Sequence, residues 1–259
     1  KADDDFVQAY ALGSRDSKLV ETILRNEALF HRAVAQVPNS AAMLWSQRGD
    51  DHARRQQWAE AAADYGQAVQ LQPEDLTYRQ RQILSHGAAG DLDELWRVRS
   101  DLLKRFGPTT NPLKANDAAW YAALAPGLDA HVEPLVRLAE LAVNGAPDAS
   151  RKGISLNTLG AARYRAGRFE DAIRRLEESI QLGNGIRLPQ GWLFQAMAHH
   201  RLGHRKKARF YLVVTSSRQP SADADPDEFW NEVEIRLLQN EAEATILYDP
   251  IFPADPFRR

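Results

Sequence analysis

Apolar positions recur along this chain at the spacing of one helix face, and the same faces return at an interval longer than any single helix. The stretch LWSQRGDDHARRQQWAEAAADYGQAVQLQP, from Leu44 to Pro73, shows the pattern most clearly. A 34-residue helix-turn-helix repeat fits residues 42–75, with Trp45 at repeat position 4, Gly49 at 8, Ala61 at 20, Tyr65 at 24, Ala68 at 27 and Pro73 at 32. Small residues at positions 8 and 20 let two helices approach closely, and the proline ends the second one. A second register runs from Ile154 through LNTLGAARYRAGRFEDAIRRLEESIQL, with Leu159-Gly160 at positions 7 and 8, Gly167 at the turn and Ala172 at 20. A third follows, with Trp192 at 4, Ala196 at 8, Gly203 at the turn and Ala208 at 20. The segment from Leu76 to Phe106 is a weaker copy, turning at Gly90-Asp91 but carrying Leu95 where a small residue belongs.

The predicted organisation is a single α-solenoid over residues 1–259. An N-terminal helical pair occupies 1–41, two repeats 42–106, a degenerate repeat 107–150, two further repeats 151–216, and a linker, capping helix and tail 217–259. The degenerate repeat is interrupted by APGLDAHVEP, and the linker is the polar stretch SSRQPSADADP. Asp225-Pro226 reads as a cap and first-turn proline for a final helix reaching about Leu247, which would cover the exposed face of the last repeat. Period-two alternation and Asn-Gly hairpin signals are missing, so the expected class is all-α. Each pair alone leaves an apolar face uncovered, and stacking on neighbouring pairs buries it.

Taken together, the repeat from Trp45 to Pro73 and the phrases LNTLGAARYRAGRFEDAIRRLEESI and WLFQAMAHHRLGH resemble the tetratricopeptide regions of bacterial multidomain signalling proteins, which are commonly attached to serine/threonine kinase or WD40 segments. The resemblance implies a protein-binding scaffold without catalytic residues. An alternative is an accessory or regulatory region of a larger signalling enzyme such as a serine/threonine kinase. Arg48, His52 and Leu95 depart from the family pattern, standing where apolar, aromatic and small residues are usual.

The resemblance also implies that the first helix of each pair lines a concave groove, through repeat positions 2, 5, 9, 12 and 13. Those positions are Met43, Ser46, Asp50 and Arg54 in one repeat, Asn157, Tyr164 and Arg165 in another, and Gln190, Leu193, Met197, His200 and Arg201 in a third. Arg54, Asn157, Tyr164, Arg165, Met197, His200 and Arg201 are the candidate partner-binding residues. Arginine recurs at position 13, and a guanidinium can grip a carboxylate or phosphate with two parallel hydrogen bonds. The expected ligand is an acidic or phosphorylated peptide or protein. The same arginines can equally pair with acidic neighbours in the chain. The carboxylate clamp that reads chaperone tails is not reproduced, because Ser46 and Asp50 stand where it needs Lys and Asn.

Composition narrows the alternatives. With 33 Lys+Arg against 35 Asp+Glu, the net charge of -2 offers no global attraction to nucleic acid or anionic membranes. The local cluster Arg201, Arg205, Lys206, Lys207 and Arg209 reads as a solvated helix face, with RNA contact as the minor alternative. Cysteine is absent, which excludes disulfide scaffolding, thiol catalysis and Cys-ligated zinc and leaves a reducing cytoplasm as the expected location. The start KADDDF is unlike a signal peptide, although Lys1 can equally be a fragment boundary. No apolar run approaches the roughly 20 residues needed to span a bilayer. His199, His200 and His204 lie close in sequence, but no ligand set completes a metal site around them. No nucleophile elbow, kinase signature or phosphate loop is present, and GNG at Gly183–Gly185 reads as a plain loop. No cofactor is expected, and Arg48-Gly49-Asp50 lies inside a predicted helix rather than on an adhesive loop. Phe252 and Phe257 in the final DPIFPADPFRR form a second candidate contact surface.

Overall fold

The computed structural model describes residues 7–9, 16–126, 132–182, 189–215 and 225–247. The GNG loop, most of the polar linker, and the tail with Phe252 and Phe257 lie outside the described residues. Every element described is helical, with no strand among the described residues. The chain divides into two compact units, Lys1–Gly90 and Asp91–Arg259.

In the first unit the helices are α1 (Ser17–Arg25), α2 (Glu27–Gln36), α3 (Ala41–Arg54), α4 (Trp58–Leu71) and α5 (Leu76–Ala89), with a 3-10 turn at Pro38–Ser40. The second unit holds α6 (Leu92–Phe106), α7 (Pro112–Leu124), α8 (Val132–Asn144), α9 (Ala149–Arg165), α10 (Phe169–Leu182), α11 (Pro189–Arg201), α12 (Arg205–Val214) and α13 (Pro226–Leu247).

Short polar side chains start these helices by accepting hydrogen bonds from orphan backbone N–H groups of the first turn. Asp16 accepts from Leu19 at 3.0 Å, Asn26 from Leu29 at 3.1 Å, Asp75 from Thr77 at 2.8 Å, Asn111 from Leu113 at 2.9 Å and Asp148 from Arg151 at 2.8 Å. Each such cap stabilises its helix by about 1 kcal/mol. Asp225 accepts from both Asp227 and Glu228 at 3.0 Å, and Pro226 opens α13. Turns within pairs fall on Gly167 and Gly203, with φ of 71° and 77°, and Gly90 ends α5 with φ of 74°, a left-handed conformation that costs glycine little.

Pairing follows the small residues. α3 packs on α4, α9 on α10, and α11 on α12. A Cβ on Gly160 would lie 2.5 Å from Leu176 Cγ, so α9 and α10 are closer than any larger residue permits. α7 packs on α8, and α9 packs in turn on both of them, so the interrupted pair is stacked on its successor. α11 packs on α10 and more lightly on α9. The first unit has its own core of Val7, Leu19, Ile23, Leu29, Phe30, Ala33 and Leu44, with Trp45 against it.

The last helix covers the end of this stack on one particular side. α13 packs mainly on α11, the first helix of the final pair, and less on α12, and it also touches α7. It therefore runs along the first helices of the second unit, the face on which a groove was expected, in addition to contacting the last pair's second helix.

Candidate functional site

In the first unit the Arg48-Gly49-Asp50 triplet is structural. Arg48 is 7% exposed, and its Nε and Nη2 donate to Asp64 Oδ2 at 2.8 Å and Oδ1 at 2.7 Å. Its Nη1 donates to Glu27 Oε2 at 2.9 Å, and the guanidinium lies 3.8 Å from the Phe30 ring centroid and 4.7 Å from that of Trp45. This arginine ties α2, α3 and α4 together, which explains its place at a position normally apolar. A Cβ on Gly49 would lie 2.8 Å from Tyr65 Cζ, so glycine lets the ring slide beneath α3. The Tyr65 hydroxyl then donates to Asp50 Oδ1 at 2.7 Å, while Arg81 on α5 donates to Asp50 Oδ2 at 3.0 Å and to Ser46 Oγ at 3.3 Å. Burial, with the Asp50 charge adding to it, pushes the Tyr65 phenol well above its ordinary range. Ser46 and Asp50, both expected groove positions, are thus spanned by an arginine of the next first helix.

The second unit carries the more elaborate arrangement. Arg165, at the end of α9, is 1% exposed and is surrounded by three groups of different origin. Its Nε donates to the carbonyl of Ala123 at 2.8 Å, in the last turn of α7, where the helix leaves acceptors without intrahelical partners. Arg99 treats the neighbouring Ala122 carbonyl in the same way, at 2.9 Å. The other face of the Arg165 fork engages α13: Nη1 pairs with Glu241 Oε1, and Nη2 donates to Oε2 at 2.7 Å. The rings of Phe194 and Tyr164 complete the surroundings, with centroids 5.2 Å and 5.5 Å from the guanidinium carbon. Burial raises the Tyr164 pKa above its ordinary value, and the Glu241 carboxylate adds to that, whereas Arg165 and a hydrogen bond from Arg201 oppose it.

One turn pair back along α13, Glu234 is 4% exposed. Its Oε1 accepts from Trp120 Nε1 on α7 at 3.0 Å and from Gln190 Nε2 on α11 at 3.1 Å. Gln190 also donates to Asn231 Oδ1 at 2.8 Å. Asn231, Glu234, Leu238 and Glu241 form one stripe along the helix, and that stripe meets α7, α9 and α11. Phe229, Trp230 and Val233 are buried beside it.

The arginines at repeat position 13 therefore occupy three environments. Arg165 is buried and engaged in the chain's own ion pair, Arg54 is half-buried, and Arg201 is exposed. His200 is half-buried beside Arg201. Met197 is fully buried within α11, and Asn157 lies between helices, where a Cβ on Gly191 would come within 2.3 Å of its Oδ1. Neither of these two lines an open surface. His199 pairs with His204 through their Nδ1 atoms at 3.1 Å and stacks on Tyr211 with rings 7° from parallel. Among the described residues no group of three or more His, Cys, Asp or Glu is placed to hold a metal ion. Lys206, Lys207 and Arg209 are exposed on α12, as expected of a solvated face.

Glu234, Glu241 and Trp120 were not singled out by sequence reasoning. The available signal was two glutamates seven residues apart in the final helix, on a stripe that also carries Leu238.

Comparison with known proteins locates one repeat firmly. The tetratricopeptide repeat model matches residues 42–75, the α3–α4 pair. No curated protein matches the chain. Among solved structures it is similar to the crystal structure of yeast Tom70, at 16% identity over 98% of this chain and 48% of that one, with a TM-score of 0.39. This chain thus spans less than half the length of that protein.

Proposed function

We propose that this chain, built of helical pairs that include a tetratricopeptide repeat, is a non-catalytic protein–protein interaction scaffold whose first helices receive an acidic segment of a partner protein. Repeats of this kind generally serve to bind proteins or peptides. The finer part of the reading, an acidic ligand, is supported by a single observation: the buried Arg165 guanidinium is oriented by the Ala123 carbonyl so that its two terminal nitrogens meet both oxygens of one carboxylate, that of Glu241 on α13. A guanidinium already held in place binds such a group with less conformational loss. Phosphate offers the same paired acceptors, so a phosphorylated segment belongs to the same class.

In this reading Arg54 in the first unit and Arg201 in the second are the recognition residues that a ligand reaches from outside, His200 and Tyr164 flank Arg201, and Asn157 and Met197 are packed within the helices of the second unit. No helix among the described residues is long and apolar enough to cross a membrane, and the proposed setting is the cytoplasm.

The test is capture of partners from a native lysate with quantitative mass spectrometry, comparing the full chain with an Arg54→Glu/Arg201→Glu variant of unchanged helicity. Proteins retained by the first and lost from the second support recognition through these two arginines. Equal retention by both moves recognition to another surface.

A further inference from the structure

The second unit's groove already holds a helix, and that helix has the chemistry of a ligand. A segment serving only to cap a helical stack needs an apolar face. α13 has one in Phe229, Trp230, Val233, Leu238 and Ala242, but it also turns two carboxylates, the buried Glu234 and the half-buried Glu241, onto the stripe that meets α7, α9 and α11. Desolvating carboxylates consumes much of what their partners return, so such contacts add little net hold while demanding one register. Apolar burial supplies the hold, and carboxylate contacts that set the register are what a groove selecting one particular helix requires. The two glutamates are seven residues apart, about 10 Å along a helix, so the spacing specifies the ligand's pattern.

We infer that the first-helix groove of residues 91–259 is a docking site for an acidic amphipathic helix and that α13 keeps it closed in cis until a partner helix with the same carboxylate spacing displaces it. This rests on the scaffold reading above and gives the ligand its form: a helix with carboxylates at i and i+7 and aromatic or β-branched residues beside the first. Trp120 and Gln190 receive the first carboxylate and Arg165 the second. Attachment in the same chain gives α13 an effective concentration on the order of 1 mM. If the same helix in trans bound with a Kd of about 10 μM, tethering would weaken an outside ligand roughly 100-fold. A partner must therefore bind more tightly than α13 does, or arrive after α13 has been loosened.

Hydrogen exchange on the full-length wild-type chain tests the opening directly. The expected result is that α13 amides exchange at least about 100-fold faster than those of α9 and α11, through a local opening. Exchange of α13 only together with α9 and α11 overturns the inference, but leaves the scaffold reading with recognition at Arg54 and Arg201.

The second arm uses a fluorescent synthetic peptide of residues 225–247 as the probe, added to the wild-type chain and to a Glu234→Gln/Glu241→Gln variant whose helicity is checked first. At least about tenfold tighter probe binding by the variant supports the inference. Local opening of α13 without probe binding to either protein overturns both the inference and the acidic-ligand reading. A variant or wild type that dimerises by exchanging α13 between copies, detected by light scattering, makes the occupant a second copy and overturns the outside partner.

Discussion

The guanidinium of Arg165 and the carboxylate of Glu241 meet through two parallel hydrogen bonds although 76 residues separate them in the chain. Arg165 is 1% exposed, and its Nε is simultaneously committed to the Ala123 carbonyl. One side chain therefore joins the end of α7, the end of α9 and the middle of α13. Replacing it with Met strands a carboxylate and a carbonyl together. The expected loss for Arg165→Met is about 3–5 kcal/mol, the scale for breaking one side of a buried pair. Replacing both members, Arg165→Met with Glu241→Met, is expected to recover much of that loss. Urea denaturation of the two single variants and the double variant measures it, and a double variant no better than Arg165→Met would show that the Ala123 contact dominates.

Close approach of helices predicts a second set of effects. Gly49→Leu and Gly160→Leu each force a branched side chain against Tyr65 or Leu176, where even a Cβ would lie at 2.8 Å and 2.5 Å. Ala172→Trp does the same from the other side of the α9–α10 contact, since Ala172 is fully buried. A loss of about 1–3 kcal/mol or more is expected for each. Gly90→Ala is different in kind: its Cβ would meet open space, but the backbone φ of 74° is unfavourable to alanine. The expected loss there is about 1 kcal/mol. Thermal melts that ranked Gly90→Ala as the most damaging would contradict the packing account.

His199 predicts a pH dependence. Burial, with smaller contributions from Lys207 and His204, lowers its pKa from 6.5 to about 4, so the folded protein keeps the imidazole neutral. Between these two values the unfolded chain binds the proton and the folded chain does not. The contribution to stability is thus complete above pH 6.5 and declines on acidification toward about 4. His204, Lys207 and the stacked Tyr211 ring are the groups that face it. A His199→Gln variant should lose this component, so its denaturation midpoint should fall less than that of the wild type across the same window. Parallel curves for the two proteins would remove His199 as the cause.

Gln195 is fully buried on α11, and both its amide oxygen and nitrogen are without hydrogen-bond partners among the described residues. Leaving such a group unsatisfied costs about 1–3 kcal/mol. Gln195→Met keeps the length and removes the unmet polarity, so a stability gain on the order of 1 kcal/mol is expected in urea. A loss on substitution would mean that the amide is satisfied by internal water.

Much of the candidate site was visible as a set of positions but not as a set of environments. Periodicity placed Arg54, Arg165 and Arg201 at one register position, yet the first is half-buried, the second buried and the third exposed. Identical register does not produce identical surroundings, because α13 covers Arg165 and leaves Arg201 at the end of α11 in solvent. Asn157 illustrates a finer limit. Its register position is one expected in the groove, yet the side chain lies against Gly191 of α11, and spacing alone does not separate a groove-lining position from one at a helix–helix contact.

The sequence by itself determined the helical pairs, the turns at Gly90, Gly167 and Gly203, the cap at Asp225, and the small residues at the α3–α4 and α9–α10 contacts. These depend on backbone conformations and on interactions that close within one repeat, so their signals are local and recur. Only the tertiary structure decided that Glu241 answers Arg165, that Trp120 and Gln190 share Glu234, and that the final helix lies along the first-helix face. Those pairings join segments far apart in the chain, and buried carboxylates are tolerated only where distant donors converge on them. Such convergence exists nowhere in the linear order of residues.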